Sequence, residues 1–202
     1  MTFLVSLLEK LARHPGFSDF ARGLCEGGFR RHRELLAREF PEAGPRILDV
    51  GCGSGLLAAS FPPERYLGVD LQPEFLRRAR VRNSAHVFCA MDARGLGLAD
   101  GAFDAALLCG VIHHLDDAGA GALLGEVRRV LRPGGRLLMW EDVPTRSAGN
   151  LVGRLVHRLD AGGLIRTAEH YASLLEPVFV VEWTEPLRSG FMDYQVYAAR
   201  AR

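Results

Sequence analysis

Apolar residues follow two different spacings along this chain, and the spacing changes near Arg46. In the first part they recur every three or four residues, as on one face of a helix, with a His-Pro-Gly break at 14–16. No run in this part has the character of a strand. The pattern therefore predicts an N-terminal helical cap over residues 1–45. The apolar positions behind this prediction are Leu4, Leu7, Leu8, Leu11, Phe29, Leu35, Leu36 and Phe40.

From residue 46 onward, short runs rich in β-forming residues alternate with helical segments. This alternation is typical of βαβ units built around a parallel sheet. The last two runs have no strong helix between them, and so we expect an antiparallel pair that closes the sheet. Residues 46–202 are therefore predicted to form one α/β domain. The seven runs span residues 47–50, 66–69, 85–89, 103–109, 136–140, 178–181 and 194–198.

Helix signals stand between these runs. Pro73 suits a first helical turn, and it precedes apolar residues at helical spacing. A second apolar stripe, over residues 123–131, stops at Pro133 and the two glycines after it. A third helix is expected from Leu56 onward, directly after a glycine-rich turn.

Composition and charge narrow the possible functions. The chain has 202 residues, 48% apolar and 24% charged, with a formal net charge of +1. This balance gives no whole-chain field toward nucleic acid or a membrane surface. The arginine clusters at 30–33 and 77–82 lie at helical spacing and indicate solvated faces. We therefore expect a monomer or homodimer with no nucleic-acid or membrane partner.

The four cysteines and the apolar runs point to a cytoplasmic protein. Cys25, Cys52, Cys89 and Cys109 form neither a CxxC pair nor a Cys/His zinc spacing, so no metal site is expected. A reducing compartment is the simplest setting for them. No apolar stretch approaches the roughly 20 residues of a membrane span. The apolar opening run ends too early for a signal peptide.

The most specific local feature is the glycine-rich turn at residues 48–55, between the first predicted strand and a predicted helix. Glycines allow a tight turn and close approach of a ligand to the backbone, and a helix start attracts an anionic group. A dinucleotide fingerprint needs glycine at its sixth position, where this chain has Leu56. A phosphate-binding P-loop is excluded because no Gly-Lys-Ser/Thr follows.

The turn instead has the form Asp-x-Gly-x-Gly-x-Gly, and here the chain resembles the class I S-adenosylmethionine (SAM) dependent methyltransferases. Four further motifs occur in the family's order, at 68–70, 91–93, 107–115 and 131–135. The resemblance covers residues 46–141 most clearly. It implies a Rossmann-like, doubly wound and mostly parallel seven-stranded sheet with the last strand antiparallel. It also implies SAM as the cofactor and a small-molecule methyl acceptor.

The resemblance also assigns the residues around the cofactor. The glycine turn would hold the methionine end of SAM, Asp70 the ribose hydroxyls, and Asp92 the adenine amino group. A carboxylate suits the ribose because it accepts two hydroxyl protons at once. If the N-terminal helices cover the pocket, Arg30 reaches the SAM carboxylate. The complete set is Asp49, Gly51, Cys52, Gly53, Gly55, Asp70, Leu71, Met91, Asp92, Ala93, Cys109 and Arg30.

Methyl transfer demands positioning more than acid–base chemistry, because the methyl group is already activated on the cofactor. For a hydroxyl or protonated nitrogen acceptor, His113 and His114 are the candidate general bases. His114 aligns with a family histidine that more often shapes the pocket. In the family, the region after the fifth strand and the N-terminal helices cover the acceptor. The candidate acceptor contacts are Glu141, Asp142, Arg166 and Tyr171.

Three functions are compatible with these residues. The first is a SAM-dependent methyltransferase that acts by in-line displacement on a small molecule. The second is a methyltransferase-like protein that binds SAM without turnover. The third is an NAD(P)-dependent oxidoreductase, which Leu56 and the absence of a Tyr-x-x-x-Lys pair disfavour.

Overall fold

A computed structural model describes residues 15–41, 44–159 and 163–202. Two α-helices precede the sheet, while the predicted positions Leu4, Leu7, Leu8 and Leu11 lie outside the described residues. The α-helices are α1 (Pro15–Cys25), α2 (Arg30–Glu39), α3 (Pro73–Arg82), α4 (Asp117–Val130), α5 (Leu151–Leu159) and α6 (Ala168–Leu175). The strands are β1 (Ile47–Val50), β2 (Tyr66–Asp70), β3 (Val87–Ala90), β4 (Phe103–Cys109), β5 (Leu131–Asp142), β6 (Phe179–Ser189) and β7 (Met192–Ala201).

The strands form one seven-stranded sheet in the order β3-β2-β1-β4-β5-β7-β6. The neighbours from β3 to β5 pair in parallel, and β7 pairs antiparallel with both β5 and β6. This confirms the predicted fold class and the antiparallel closing pair. The strand order reverses between β1 and β4, and a crevice at such a point is where open α/β sheets bind ligands.

Helices cover both faces of the sheet, because alternate residues of each strand point to opposite sides. Leu48 and Val50 of β1 pack with α4 and α6, and Ile47 packs on the other side with α2 and α3. These central strands are buried on both faces, so their side chains are apolar at nearly every position. The sheet thus forms a rigid floor whose carboxyl edge carries the predicted site. Within the described residues, no helix is both long and apolar enough to cross a bilayer.

The helix predicted after the glycine-rich turn is absent, and this prediction was wrong. Residues 51–57 form consecutive turns, followed by a three-residue 3-10 helix, Ala58–Ser60. Pro62 and Pro63 follow at once, and proline cannot continue a helical hydrogen-bond ladder. The segment between the turn and these prolines is too short for the cooperative formation of an α-helix. A ligand at the turn therefore meets individual N–H groups rather than the end of a long helix.

The hairpin formed by β6 and β7, which closes the sheet, contacts the residues at the end of α1. The Phe191 N–H donates to the Cys25 carbonyl at 2.7 Å, and the Ser189 hydroxyl donates to the Glu26 carbonyl at 2.6 Å. At Gly190, φ is +58°, and a Cβ there would lie 2.1 Å from the Cys25 carbonyl oxygen. Only glycine fits this contact between the hairpin tip and the helical cap.

Candidate functional site

The glycine-rich turn lies at the carboxyl end of β1, beside the reversal of strand order. Gly51, Gly53 and Gly55 all have positive φ, at +73°, +53° and +68°. The N–H groups of Gly51 and Cys52 both donate to the Val69 carbonyl, at 2.8 and 3.0 Å, so the turn is tied to β2. Alternating left-handed residues explain the spacing of the glycines in sequence.

The three glycines have different surroundings. A Cβ at Gly51 would lie 2.4 Å from Val111, whereas a Cβ at Gly53 would meet nothing closer than Phe75 at 3.9 Å. Gly53 thus faces an open hollow, which lies between the glycine-rich turn and α1. Gly55 instead packs against α3, where a Cβ would lie 2.9 Å from the Asn83 amide nitrogen. Gly55 therefore packs closely here, and its predicted contact with the cofactor stays a prediction.

Asp70 lies beside the turn, as predicted. Its Oδ2 accepts a hydrogen bond from the Gly53 N–H at 2.8 Å, and its Oδ1 accepts from the Gln72 N–H at 2.8 Å. Burial raises the pKa of this carboxyl, and the backbone donors act in the opposite direction. Leu71, the next residue, is 64% exposed. The carboxylate is thus fixed at the rim of the hollow, and each oxygen retains lone pairs for a ligand hydroxyl.

Asp49 is buried behind the turn and accepts a hydrogen bond from the Tyr66 hydroxyl at 2.6 Å. Burial raises the pKa of Asp49 to about 7. The nearby Asp70 carboxyl acts in the same direction. Asp49 also lines the hollow. A buried carboxyl with a single donor is suited to a cationic ligand group, which would favour its ionised form.

The raised pKa of Asp49 predicts a pH-dependent stability. Between the unfolded pKa of about 3.9 and the folded value, the native state holds a proton that the unfolded chain releases. We therefore expect the free energy of unfolding of the wild type to fall, relative to Asp49→Asn, as the pH rises from about 4 to 7. Above this range the difference should level off. Urea unfolding of both proteins between pH 4.5 and 8.5 measures this difference in the free energy of unfolding. A difference that does not change with pH would contradict the raised pKa of Asp49.

The segment after β3 lies beside Asp70, since the Met91 N–H donates to the Asp70 carbonyl at 3.1 Å. Ala93 belongs to this segment and is half-buried. Asp92 is paired with Arg94, whose Nη2 lies 2.6 Å and Nε 3.0 Å from the carboxylate oxygens. These donors lower the pKa of Asp92 to about 2. Its role at adenine stays a prediction, and it would have to share the carboxylate with Arg94.

The arginine that lies near the turn is Arg22, whereas the predicted Arg30 lies apart from it. Arg30 is 80% exposed and pairs with Glu34 at 3.5 Å along α2. Arg22 of α1 lines the hollow and donates through Nε to Glu26 at 2.9 Å. The other lining residues are Asp19, Phe29, His32, Asp49, Gly51, Cys52, Gly53, Ser54, Leu56, Leu57, Phe75, Cys109 and Trp140.

Asp19 explains why α1 lies over the turn. Its carboxylate accepts hydrogen bonds from the Ser54 hydroxyl and from Arg82 at 2.7 Å and Arg78 at 3.2 Å. Arg82 also donates to the Ser54 carbonyl at 2.6 Å. These contacts join α1, the turn and α3. Sequence reasoning missed Asp19, Arg22 and His32, because helical spacing alone does not say where a cap docks.

His113 and Glu141 form a buried pair at the ends of β4 and β5. His113 Nδ1 lies 2.8 Å from Glu141 Oε2, and Glu141 Oε1 accepts from the N–H groups of Val111 and Ile112, both at 2.8 Å. The Glu141 carboxylate thus holds the 3-10 helix Ile112–His114 and orients the imidazole. His114 is exposed, with its ring centroid 4.1 Å from that of His113.

Asp142 is buried next to this pair. Its Oδ2 lies 4.0 Å from His113 Nδ1, and its Oδ1 lies 3.6 Å from His157 Nε2 on α5. Burial raises the pKa of the Asp142 carboxyl. A Cβ at Gly110 would lie 3.9 Å from Asp142 Oδ2. Asp142 therefore lies at the carboxyl edge of the sheet, directly beyond the end of β4.

Arg166 and Tyr171 have structural contacts instead of the expected acceptor contacts. The guanidinium of Arg166 binds Asp117 and the carbonyls of Ile112, Leu115 and Leu164 at 2.6–3.2 Å, so all its N–H groups have acceptors. The buried Tyr171 hydroxyl donates to the Asp142 carbonyl at 3.2 Å. Both side chains join the segment after α5 to the domain. Their role as acceptor contacts stays a prediction.

The residues around the hollow fit the chemistry of SAM. The cofactor carries an anionic carboxylate, a cationic ammonium and sulfonium, and a ribose diol. Arg22 offers a cation, the buried Asp49 an anion, and Asp70 two acceptor oxygens beside the open space at Gly53.

Cys52 and Cys109 are half-buried free thiols whose pKa values burial raises, which leaves them unreactive packing residues. Among the described residues, no cluster of three metal-ligating side chains occurs.

Comparisons with known proteins agree with this geometry. The profile of a family described as a methyltransferase domain matches residues 48–139. A ubiquinone biosynthesis O-methyltransferase from Xanthomonas oryzae pv. oryzae is 31% identical over 176 residues, covering 79% of this chain and 71% of that protein. A demethylmenaquinone methyltransferase from Thermus thermophilus is 37% identical, covering 63% and 60%.

An uncharacterised protein from a Streptomyces fradiae transposon is 34% identical, covering 75% of this chain and 48% of its own length. The chain thus spans between about half and seven tenths of these curated relatives. Among solved structures, the N-methyltransferase NodS from Bradyrhizobium japonicum, in complex with S-adenosyl-L-homocysteine, superposes with a TM-score of 0.75. Its identity is 20%, and the match covers 96% of this chain and 97% of that one.

Proposed function

The chain belongs to the class I SAM-dependent methyltransferases, and on this premise we propose that it transfers a methyl group from SAM to a small molecule. The observation that carries the proposal is the contact between the glycine turn and Asp70. A carboxylate bonded to the Gly53 N–H at 2.8 Å brings the turn and the end of β2 to the same hollow. A carboxylate in this position could accept hydrogen bonds from a ligand diol, and it lies beside backbone that a ligand can approach closely.

Each residue around the hollow has a defined task in this proposal. Gly51 and Gly53 present backbone to the methionine part of the cofactor, Asp70 binds the ribose hydroxyls, and Arg22 neutralises the carboxylate. When bound, SAM supplies a methyl group activated on its sulfonium sulfur. The protein contributes the orientation of the acceptor and the exclusion of water. Helix α1, docked on the turn through Asp19, is suited to excluding water.

For a hydroxyl acceptor, the His113–Glu141 pair is the proposed base. The Glu141 carboxylate fixes a proton on Nδ1 of His113, which leaves proton acceptance to Nε2. The carboxylate also stabilises the imidazolium that forms. A hydroxyl acceptor is favoured by relatives named as O-methyltransferases, of ubiquinone biosynthesis and of 27-O-demethylrifamycin SV. His114, exposed beside His113, is assigned to shaping the pocket.

Two other functions predict different outcomes in the two experiments that test the proposal. A SAM-binding protein without turnover would bind the cofactor but release no product, and an NAD(P) oxidoreductase would bind NADH. We expect calorimetric titration to give saturable binding of SAM and none of NADH. A screen across hydroxylated small molecules should then release S-adenosylhomocysteine (SAH). Binding of SAM with no release across the screen would favour the non-catalytic alternative.

The matched variants are Arg22→Gln and Arg30→Gln. Both remove one charge from an N-terminal helix, but only Arg22 lines the hollow. Arg22→Gln should weaken SAM binding, and Arg30→Gln should leave it unchanged. The reverse result would restore Arg30 as the residue that faces the carboxylate.

We further propose a cytoplasmic, monomeric or homodimeric protein.

A further inference from the structure

Large apolar side chains are exposed on three segments that meet at the tip of the β6–β7 hairpin. Single exposed apolar residues are common on protein surfaces, whereas neighbouring ones mark a contact surface. We call this group the apolar patch. It consists of Phe20 and Leu24 of α1, Leu151, Val152 and Leu155 of α5, and Phe191 at the hairpin tip.

The backbone of Phe191 connects the two helices of the patch. Its N–H donates to the Cys25 carbonyl at the end of α1, at 2.7 Å. Its carbonyl accepts from the Asn150 side-chain amide, directly before α5, also at 2.7 Å. Leu24 and Leu151 are the sequence neighbours of these two contact residues. The exposed side chains of α1, the hairpin tip and α5 are therefore parts of one surface.

Helix α5 packs on the domain through one side only. Gly153 is buried there, where a Cβ would lie 2.6 Å from the Phe191 carbonyl oxygen, and His157 is half-buried on the same side. Leu151 and Leu155 lie one turn apart on the opposite side and are 72% and 57% exposed. A surface helix normally turns its apolar stripe toward the core. An outward apolar stripe is typical of helices that lie in the interface of a membrane.

The exposed charges beside these leucines are positive. Helix α5 exposes Arg154 and Arg158, and Arg188 is exposed next to the hairpin tip. Within the described part of the chain, Arg154 and Arg158 have no carboxylate at ion-pair distance. The sequence also has no acidic residue from 143 to 159. A local positive field thus exists in a chain of net charge +1, whereas the expectation of no membrane partner was based on the whole-chain charge.

A negatively charged lipid surface complements both properties of the patch. Anionic headgroups attract arginines that lie near them, and apolar side chains beside these arginines enter the boundary between headgroups and acyl chains. A two-fold contact with a second copy would instead bring two positively charged patches together. The charge of the patch therefore favours an anionic lipid surface over self-association.

We propose that the apolar patch binds the surface of a membrane that contains anionic lipids, with α5 lying in the interface. The contact is peripheral, because no helix among the described residues could span a bilayer. Helix α1 docks on the glycine turn through Asp19, and α5 brings His157 beside Asp142. The two helices that contact lipid thus also lie over the carboxyl edge of the sheet. The proposal goes beyond methyl transfer and requires no bound cofactor.

Flotation of the full chain with lipid vesicles tests the proposal. The vesicles contain either phosphatidylcholine alone or phosphatidylcholine and phosphatidylglycerol in equal parts. We expect binding to the mixed vesicles that is about tenfold or more tighter than binding to the neutral ones. This binding should weaken as the salt concentration rises, because salt screens the attraction between the arginines and the headgroups.

Two double variants separate the apolar and the charged contributions. Leu151→Gln with Leu155→Gln removes apolar contact area, and Arg154→Gln with Arg158→Gln removes two charges. Each should weaken binding to the mixed vesicles about tenfold or more.

The matched control makes the same two kinds of change on α3. Val81→Gln with Arg77→Gln replaces a valine that is 87% exposed and an exposed arginine, outside the patch. This variant should bind the mixed vesicles as the wild type does. Thermal unfolding checks that all variants fold, and Leu155→Gln alone replaces the double leucine variant if the latter does not.

Several outcomes would overturn the proposal. These are no binding to the mixed vesicles, equal binding to the neutral ones, or full binding by both double variants. A loss in the α3 control as large as in the double variants has the same meaning. Light scattering that shows a dimer which the leucine variant dissociates would identify a second copy as the occupant instead. Calorimetry with SAM is independent of these results, so a chain that binds vesicles but no SAM would refute the proposed function alone.

Discussion

Replacing Gly51 with alanine should abolish measurable SAM binding and lower the free energy of unfolding by about 2–4 kcal/mol. The backbone φ of +73° strains any residue with a Cβ, and that Cβ would lie 2.4 Å from Val111 Cγ2. Val111 cannot yield easily, because its side chain is β-branched and its N–H is held by Glu141. The turn would therefore open where we place the cofactor. Calorimetry with SAM and urea unfolding measure the two effects.

Two further variants separate strain from collision. Gly134→Ala introduces a Cβ at a φ of +69° with nothing within 4 Å, so it should show the cost of backbone strain alone. Val111→Ala combined with Gly51→Ala removes the colliding methyl groups and should recover part of the lost stability. Equal stability losses for Gly51→Ala and Gly134→Ala, with no recovery in the double variant, would argue against the close contact.

Replacing Asp70 with alanine should weaken SAM binding about 10- to 150-fold, corresponding to about 1.5–3 kcal/mol for lost charge-assisted hydrogen bonds. The variant removes the acceptors proposed for the ribose hydroxyls and leaves the Gly53 N–H without its partner. Asp70→Asn retains one acceptor oxygen and should give a smaller loss. The control is Asp100→Ala, because the side chain of Asp100 is 80% exposed and pairs with Arg129 away from the turn. An unchanged affinity in Asp70→Ala would refute the ribose assignment.

The strands of the central sheet were predictable because each one is marked by residues that are adjacent in sequence. Strands β1, β2 and β4 are buried on both faces, and such strands appear in sequence as short, almost continuous apolar runs. Strand β6 was predicted at four residues but spans Phe179–Ser189. In its remainder, exposed residues alternate with half-buried or buried ones, and it contains Pro186, which a sheet accepts on an edge strand. Edge position is a tertiary property, so the sequence did not reveal this length.

The positions of the candidate site residues were predictable only where they depend on the sheet. The place of Asp70 beside the turn was predictable because it ends a strand, and the ends of parallel strands meet at one edge of the sheet. The place of Arg22 at the hollow was not predictable, because the docking of α1 depends on Asp19 meeting Ser54 and Arg82, residues far apart in sequence. His113 and Glu141 were both identified, but for separate tasks. Their contact across 28 positions emerged only in the folded chain.

The contact between the closing hairpin and the end of α1 has a consequence for the order of folding. Ser189 and Glu26 are separated by 163 positions, and contacts of such separation form late because a long loop must first close. During synthesis β6 and β7 emerge after the other five strands, so α1 has no hairpin tip to contact until then. The nascent chain can assemble β1 to β4 early, but α1 over the ligand pocket gains its support only once β6 and β7 have left the ribosome.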